Sequence, residues 1–366
     1  VNALAVSAVA APAGLDGPRA RRRAKQAGAA VAALATLGAL ACLRTARAPL
    51  ARAGAVMPAS FRRRPIGDAP DARVPAADGR AHSSAAAVRS LHGSAALLFA
   101  SVLADSFIGH DRGSFENPGM LAPLVAASLG LRVEADALRR TSFPSHVRTG
   151  AAVLAGAVGV AGLGFHAVNV LRRPGGLSWL NAFYAAPLVA PAALALAGAQ
   201  AGVAERLAGP QRARTAALGR TRASGAETVR IAGIPPGRLV CALAATGLAG
   251  TVGEVALLHA RGSFQNPAMW LPVSLPPVAA VLTAKAAVER TAPARRPLTR
   301  TWLHVTAWLG VVGVAFHAYG IARSMGGWRN WRQNVVDGPP LPAPPSFSAL
   351  AIAALAGLQL RDLDPA

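Results

Sequence analysis

The chain has 366 residues, of which 53% are hydrophobic and 15% charged, and a formal net charge of +22. Soluble domains carry about 25% charged residues, so this composition, with a mean hydropathy of +0.37, excludes an ordinary soluble protein. Such a charge would suit nucleic acid, but the arginines fall between apolar runs; nucleic acid is set aside as a partner and the charge is read as a topological signal.

Residues 1–90 form a basic extension rich in Ala, Arg and Pro. ArgArgArgAlaLys (21–25) precedes the uncharged run 27–43 and then ThrAlaArgAla. That order resembles a secretory signal. It fits equally a spare membrane helix or a translated upstream region, with Met57 as an alternative start. No fold is expected for 44–88, whose composition does not build a core. The two cysteines, Cys42 and Cys241, supply neither a disulfide framework nor a zinc knuckle.

From 91 onward the expectation is an all-α integral membrane protein of about eight transmembrane helices, arranged as two tandem parallel four-helix repeats, 91–208 and 240–362, joined by a basic linker, 209–239. The apolar spans run 91–110, 117–133, 149–171 and 183–204, then 240–259, 266–284, 301–321 and 345–360. The charge-free stretches 149–171 and 301–321 are long enough to cross about 30 Å of hydrocarbon as helices. An even number of spans per unit gives both units the same polarity. Pro123 and Pro272 fall in the short second spans, where a kink is expected.

Orientation follows from the basic residues. The segments 132–148, 205–238 and 285–300 carry sixteen Lys and Arg, and those on the opposite side carry seven. The positive-inside rule puts the linker and the C-terminus in the cytoplasm of a bacterial-type inner membrane. Trp270, Trp328 and Trp331 then mark the outer boundary and Trp302 the inner one.

One phrase is written twice. HDRGSFENPGM (110–120) matches HARGSFQNPAM (259–269) at eight of eleven positions, whereas only three of the eighteen positions before each copy agree. Local structure accounts for much of this. Gly113 and Gly262 suit left-handed helix C-caps, and Asn117–Pro118 and Asn266–Pro267 suit an N-cap followed by the first helical position. Asp105 and Glu254 correspond, each five residues before the repeated histidine in an otherwise charge-free span, and an ionisable group there marks a partner or a water-filled cavity.

A second match pairs His166 with His317 on the third spans, about 9 Å below the outer surface and within approach of His110 and His259. Gly159 and Gly162, matched by Gly310 and Gly313, permit close helix approach. A third match aligns Gly175, Gly176, Asn181, Pro187 and Pro191 with Gly326, Gly327, Asn334, Pro340 and Pro344 in proline-rich loops on the same side.

Three readings follow. In the first, His110 with His166 and His259 with His317 ligate b-type haem or another metal for membrane electron transfer to a redox partner, with Arg112 and Arg261 pairing propionates. In the second, the protein is a small-solute or ion transporter with Asp105, Glu254 and the histidines as proton- or ion-coupling groups. In the third it is an assembly or anchor subunit of a membrane complex, its histidines bonding carbonyls of neighbouring helices. No nucleophile–base–acid set or phosphate-cradling glycine loop is present, so no hydrolase is expected and no catalytic residue is named.

Overall fold

The computed structural model describes residues 74–139, 143–184, 187, 189–217, 230–290 and 296–363, with side chains described from 82 onward except at 210–217. The run 27–43, Met57 and most of the linker lie outside the described residues. Helices account for nearly all of what is described: α1 (Val74–Arg112), α2 (Ala122–Arg139), α3 (Ser145–Leu171), α4 (Trp179–Tyr184), α5 (Ala190–Ala217), α6 (Pro236–Arg261), α7 (Leu271–Val288), α8 (Pro297–Arg323), α9 (Trp331–Val336) and α10 (Pro345–Arg361). Three 3-10 segments, Pro118–Leu121, Pro267–Trp270 and Gly327–Asn330, lead into α2, α7 and α9. Among the described residues there is no strand beyond one isolated bridge between Ile231 and Ile234.

Among the described residues, five helices are long and apolar enough to cross a membrane: α1 over His82–Arg112, α3, α6, Pro267–Val288 ending α7, and α8. The other three expected spans fall on helices that are more polar or shorter. Arg132, Glu134, Asp136 and Arg139 charge α2, while Gln200, Glu205 and Arg206 interrupt α5. α10 has 17 residues.

The outward faces of α3, α7 and α8 carry exposed Val153, Val160, Phe165, Val281, Val312 and Phe316. Apolar faces of this extent are unstable in water and suit lipid. The interior is built mostly of small residues and aliphatics: Ala87, Ala95, Ala155, Ala244, Ala349, Leu98, Leu248 and Leu303 are fully buried. Small side chains let helix backbones approach, which is how helices pack where lipid offers no hydrophobic contrast. A Cβ at Gly159 would lie 2.3 Å from Ala195 N, and one at Gly310 2.7 Å from Pro344 O. Those two glycines therefore set the closeness of α3 to α5 and of α8 to α10. Helix α10 is buried along nearly its whole length, and serines stitch it in place. Ser94 Oγ on α1 donates to Ala349 O at 2.7 Å, and Ser348 Oγ to Ala307 O at 2.6 Å.

Two local expectations are corrected. Helix α1 begins at Val74, inside the stretch for which no fold was expected, and Ala87 and Val88 are buried. The alanines there gain packing partners, with Gln359 Nε2 also donating to Ser83 O at 3.0 Å. Pro123 and Pro272 are the second residues of α2 and α7, where no intrahelical N–H is needed, so neither is an interior kink. The interior prolines of α7 are Pro276 and Pro277.

Candidate functional site

The repeated phrase closes two helix reversals with the same bonds. Phe115 N donates to His110 O, and Phe264 N to His259 O, each at 3.1 Å. The left-handed positions are not the glycines: Ser114 and Phe115 have φ of 51° each, and Ser263 and Phe264 have 54° and 48°. Gly262 sits at φ −81°. Space bears on one of them: a Cβ at Gly262 would meet Met269 Cε at 3.0 Å, whereas one at Gly113 would lie in ordinary contact with Met120 Cε at 3.5 Å. Asn117 Oδ1 accepts from Gly119 N at 2.8 Å and Asn266 Oδ1 from Ala268 N at 2.9 Å, capping the 3-10 segments that begin with Pro118 and Pro267.

All four histidines expected at the site donate Nδ1–H to a backbone carbonyl. His110 reaches Met120 O at 2.7 Å and His259 reaches Met269 O at 2.7 Å. His166 reaches Pro187 O at 2.6 Å and His317 reaches Pro340 O at 2.8 Å. A proline stands at a position whose N–H could otherwise serve each of these carbonyls, and of the four the Pro340 carbonyl also accepts from Ala343 N at 3.2 Å. In 3-10 geometry Met120 and Met269 would be served by residues 123 and 272; in α geometry Pro187 and Pro340 would be served by residues 191 and 344. All four are proline, which has no N–H. A carbonyl left bare in hydrocarbon costs several kcal/mol, so the imidazoles on Met120, Met269 and Pro187 supply what a proline removed, while His317 gives the Pro340 carbonyl a second donor. A carbonyl only accepts, so Nδ1 holds the hydrogen and the neutral ring carries its lone pair on Nε2.

The third shared element is equally regular. Asn181 Nδ2 donates to Pro174 O at 3.0 Å and Gly176 O at 2.8 Å, and Asn334 Nδ2 to Met325 O at 3.1 Å and Gly327 O at 2.8 Å. The clamped turns need positive φ at Gly175, Gly176, Gly326 and Gly327, from 49° to 88°, a region open to glycine without strain.

His110 lies within Coulombic reach of His166, and His317 of His259. Arg112 and Arg261 extend across to the opposite helix series. Arg112 Nε donates to Val336 O at the end of α9. The Arg261 guanidinium lies over the rings of Phe183 and Tyr184 on α4, 5.4 and 5.8 Å from their centroids.

Asp105 and Glu254, deeper on α1 and α6, interact electrostatically with each other, and each with the arginine seven residues on, Arg112 or Arg261. Seven residues is about two helical turns, so acid and arginine share a face. Neither carboxylate is fully buried, and among the described residues neither forms a hydrogen bond or ion pair. Also among the described residues, no three His, Cys, Asp or Glu gather as metal ligands.

Sequence reasoning missed two polar features. His92 Nδ1 and Glu134 Oε2 meet at 2.6 Å, both buried, between α1 and α2. A cluster of arginines closes the opposite end of α6, α8 and α10. His92 and Glu134 are 42 residues apart in sequence, so no local spacing joins them; an ionisable residue at one end of each span was the only signal. No family model matches the chain, and no curated protein or solved structure shows significant similarity to it.

Proposed function

The protein is a helical membrane protein; beyond that, we propose that it is a small-solute or ion transporter. In this reading the chain forms two tandem four-span units of equal polarity, 91–208 and 240–362, with the basic linker and C-terminus cytoplasmic in a bacterial-type inner membrane. The observation that carries it is that Asp105 lies within electrostatic range of Glu254. One acid from each unit sits within a membrane-length helix, without a hydrogen-bonding partner among the described residues, and with the other acid's charge in range. Carboxylates in such a place are costly unless they take up a proton or a cation. The two units thereby contribute to one shared coupling site. Arg112 and Arg261 flank it on the histidine side.

Proteoliposomes loaded with a pH-sensitive dye and given a potassium diffusion potential test this. Wild-type protein is expected to conduct protons or exchange them for monovalent cations. Asp105→Asn with Glu254→Gln is expected to abolish the flux. Flux unchanged in the double variant removes the acids as coupling groups.

One observation favours haem or metal ligation as a second reading: carbonyl bonding at Nδ1 leaves Nε2 of all four histidines as the basic nitrogen, the arrangement in which a second-shell acceptor orients a metal-bound imidazole. His110 with His166, and His259 with His317, would be the ligand pairs. A Soret band in purified protein, lost in His166→Ala and His317→Ala, supports it; a colourless, metal-free preparation removes it.

A further inference from the structure

The loops that lead through α4 and α9 share their asparagine clamps but not their surfaces. From Pro174 to Ala204 the first series carries no charged residue, whereas the matching loop of the second holds Arg329, Arg332 and Asp337, all exposed. Leu177, Trp179, Leu180 and Tyr184 are each between 64% and 77% exposed. The first loop therefore presents a patch of large apolar and aromatic side chains.

Three observations bear on what covers that patch. The first is its level. The Arg261 guanidinium lies 5.4 and 5.8 Å from the Phe183 and Tyr184 ring centroids, which sets α4 close to the end of α6. That helix has 26 residues; at about 1.5 Å each it is roughly 39 Å long, against about 30 Å of hydrocarbon. Its end, and α4 with it, thus falls at the boundary between acyl chains and headgroups.

The second is continuity. The outward face of α3 runs through exposed Phe165, Val168 and Leu171 to the end of that helix, and the chain then passes exposed Arg172 and Arg173 into the loop. Arginines beside such a face lay their stems on apolar surface and turn their heads to water and phosphate. The third is the backbone. Gly176 N donates to Arg173 O, Ser178 N to Gly176 O and Ala182 N to Ser178 O, each at 2.9 Å, and Asn181 Nδ2 serves the carbonyls of Pro174 and Gly176. Immersion in lipid requires polar backbone to be paired in this way.

We propose that residues 174–184 lie in the interfacial layer of the membrane on the histidine side, with lipid covering Leu177, Trp179, Leu180 and Tyr184. The Trp and Tyr rings suit the headgroup boundary, and the leucines reach toward the acyl chains, as in helices that lie in the plane of the interface. The loop of the second series, with its two arginines and an aspartate, stays in water. This anchor needs only a membrane, and neither transport nor haem.

Leu177→Cys, Leu180→Cys, Val160→Cys and Gln333→Cys are each made in the full chain, spin-labelled and reconstituted in phosphatidylcholine vesicles, and the signal of protein with only its native cysteines is subtracted. Relaxation by oxygen, which concentrates in lipid, is compared with relaxation by a nickel chelate that stays in water. Labels at 177 and 180 are expected to give an oxygen-to-nickel ratio several-fold above that at 333 and nearer to that at 160 on the lipid face of α3. Independently, brominated phosphatidylcholine is expected to quench a larger share of tryptophan fluorescence in wild type than in Trp179→Phe. Ratios at 177 and 180 equal to that at 333, with no less quenching in Trp179→Phe, overturn the proposal in favour of a loop in water. Dipolar broadening at 177 and 180 that disappears on dilution with unlabelled protein overturns it in favour of a second copy covering the patch.

Discussion

The two ends of the helix bundle treat the two helix series differently. On the histidine side the series agree bond for bond: four imidazole-to-carbonyl contacts of 2.6 to 2.8 Å, two asparagine caps and two asparagine clamps. On the opposite side they diverge. The positions 149 residues after His92 and Glu134 are Cys241 and Thr283, both buried, so one series holds an ion pair where the other holds a thiol and a hydroxyl. Similarity is greatest where the chain reverses direction and prolines strip donors from carbonyls. It fades where burial admits several chemical solutions.

The largest effect should come from breaking the buried pair. His92→Ala leaves Glu134 without its partner and is expected to destabilise the protein by about 3–5 kcal/mol, the cost of orphaning one member of a buried ion pair. The double variant His92→Cys with Glu134→Thr copies the other series and should recover most of that loss. Thermal unfolding in detergent across the four-member cycle measures it. A double variant no more stable than His92→Ala would mean that the series differ in surroundings as well as in the pair itself.

The histidine side gives a sharper test with a smaller effect. His166→Phe should cost about 1–3 kcal/mol, because the Pro187 carbonyl then lies bare. Adding Pro191→Ala restores an N–H at the α-helical position and keeps the Cβ that packs on Gly162, so stability should return. His317→Phe with Pro344→Ala is the counterpart in the second series, where the Pro340 carbonyl keeps its bond from Ala343 N at 3.2 Å and the first loss should be smaller. Recovery of stability without recovery of any Soret band would separate the fold's need for the imidazole from a ligand's. Failure to recover in both series would show that the histidines do more than replace the missing donors.

Much of the histidine side was legible because its causes are local. Asn–Pro at a helix start, glycines a turn apart on α3 and α8, and an acid inside an apolar span each carry their physics within a few residues. The left-handed positions were misread, because glycine is the default there and the chain instead strains Ser114 and Phe115. The start of α1 was missed since Ala87 and Val88 become core only through packing that composition does not reveal. The arginine cluster was counted as loop charge; nothing near Arg296 in sequence announces that Arg361, at the far end of α10, bonds the same Glu289.

The crossing arginines offer the smallest effect and the most direct probe of how the two series meet. Arg112 binds a carbonyl of α9, whereas Arg261 lies over two aromatic rings of α4, so the same residue in the same phrase makes a hydrogen bond in one direction and a cation–π contact in the other. Arg261→Gln is expected to cost about 0.5–1 kcal/mol, the range for a cation over an exposed ring. Phe183→Leu with Tyr184→Leu should make that substitution nearly silent, because the quadrupoles that held the guanidinium are gone. A double-mutant cycle on unfolding in detergent reads the coupling. Its presence ties α4 to α6, and hence one series to the other, about two helical turns from Asp105 and Glu254. Coupling of zero would leave the shared acid site without that brace, resting on the packing of α10 against α1 and α6.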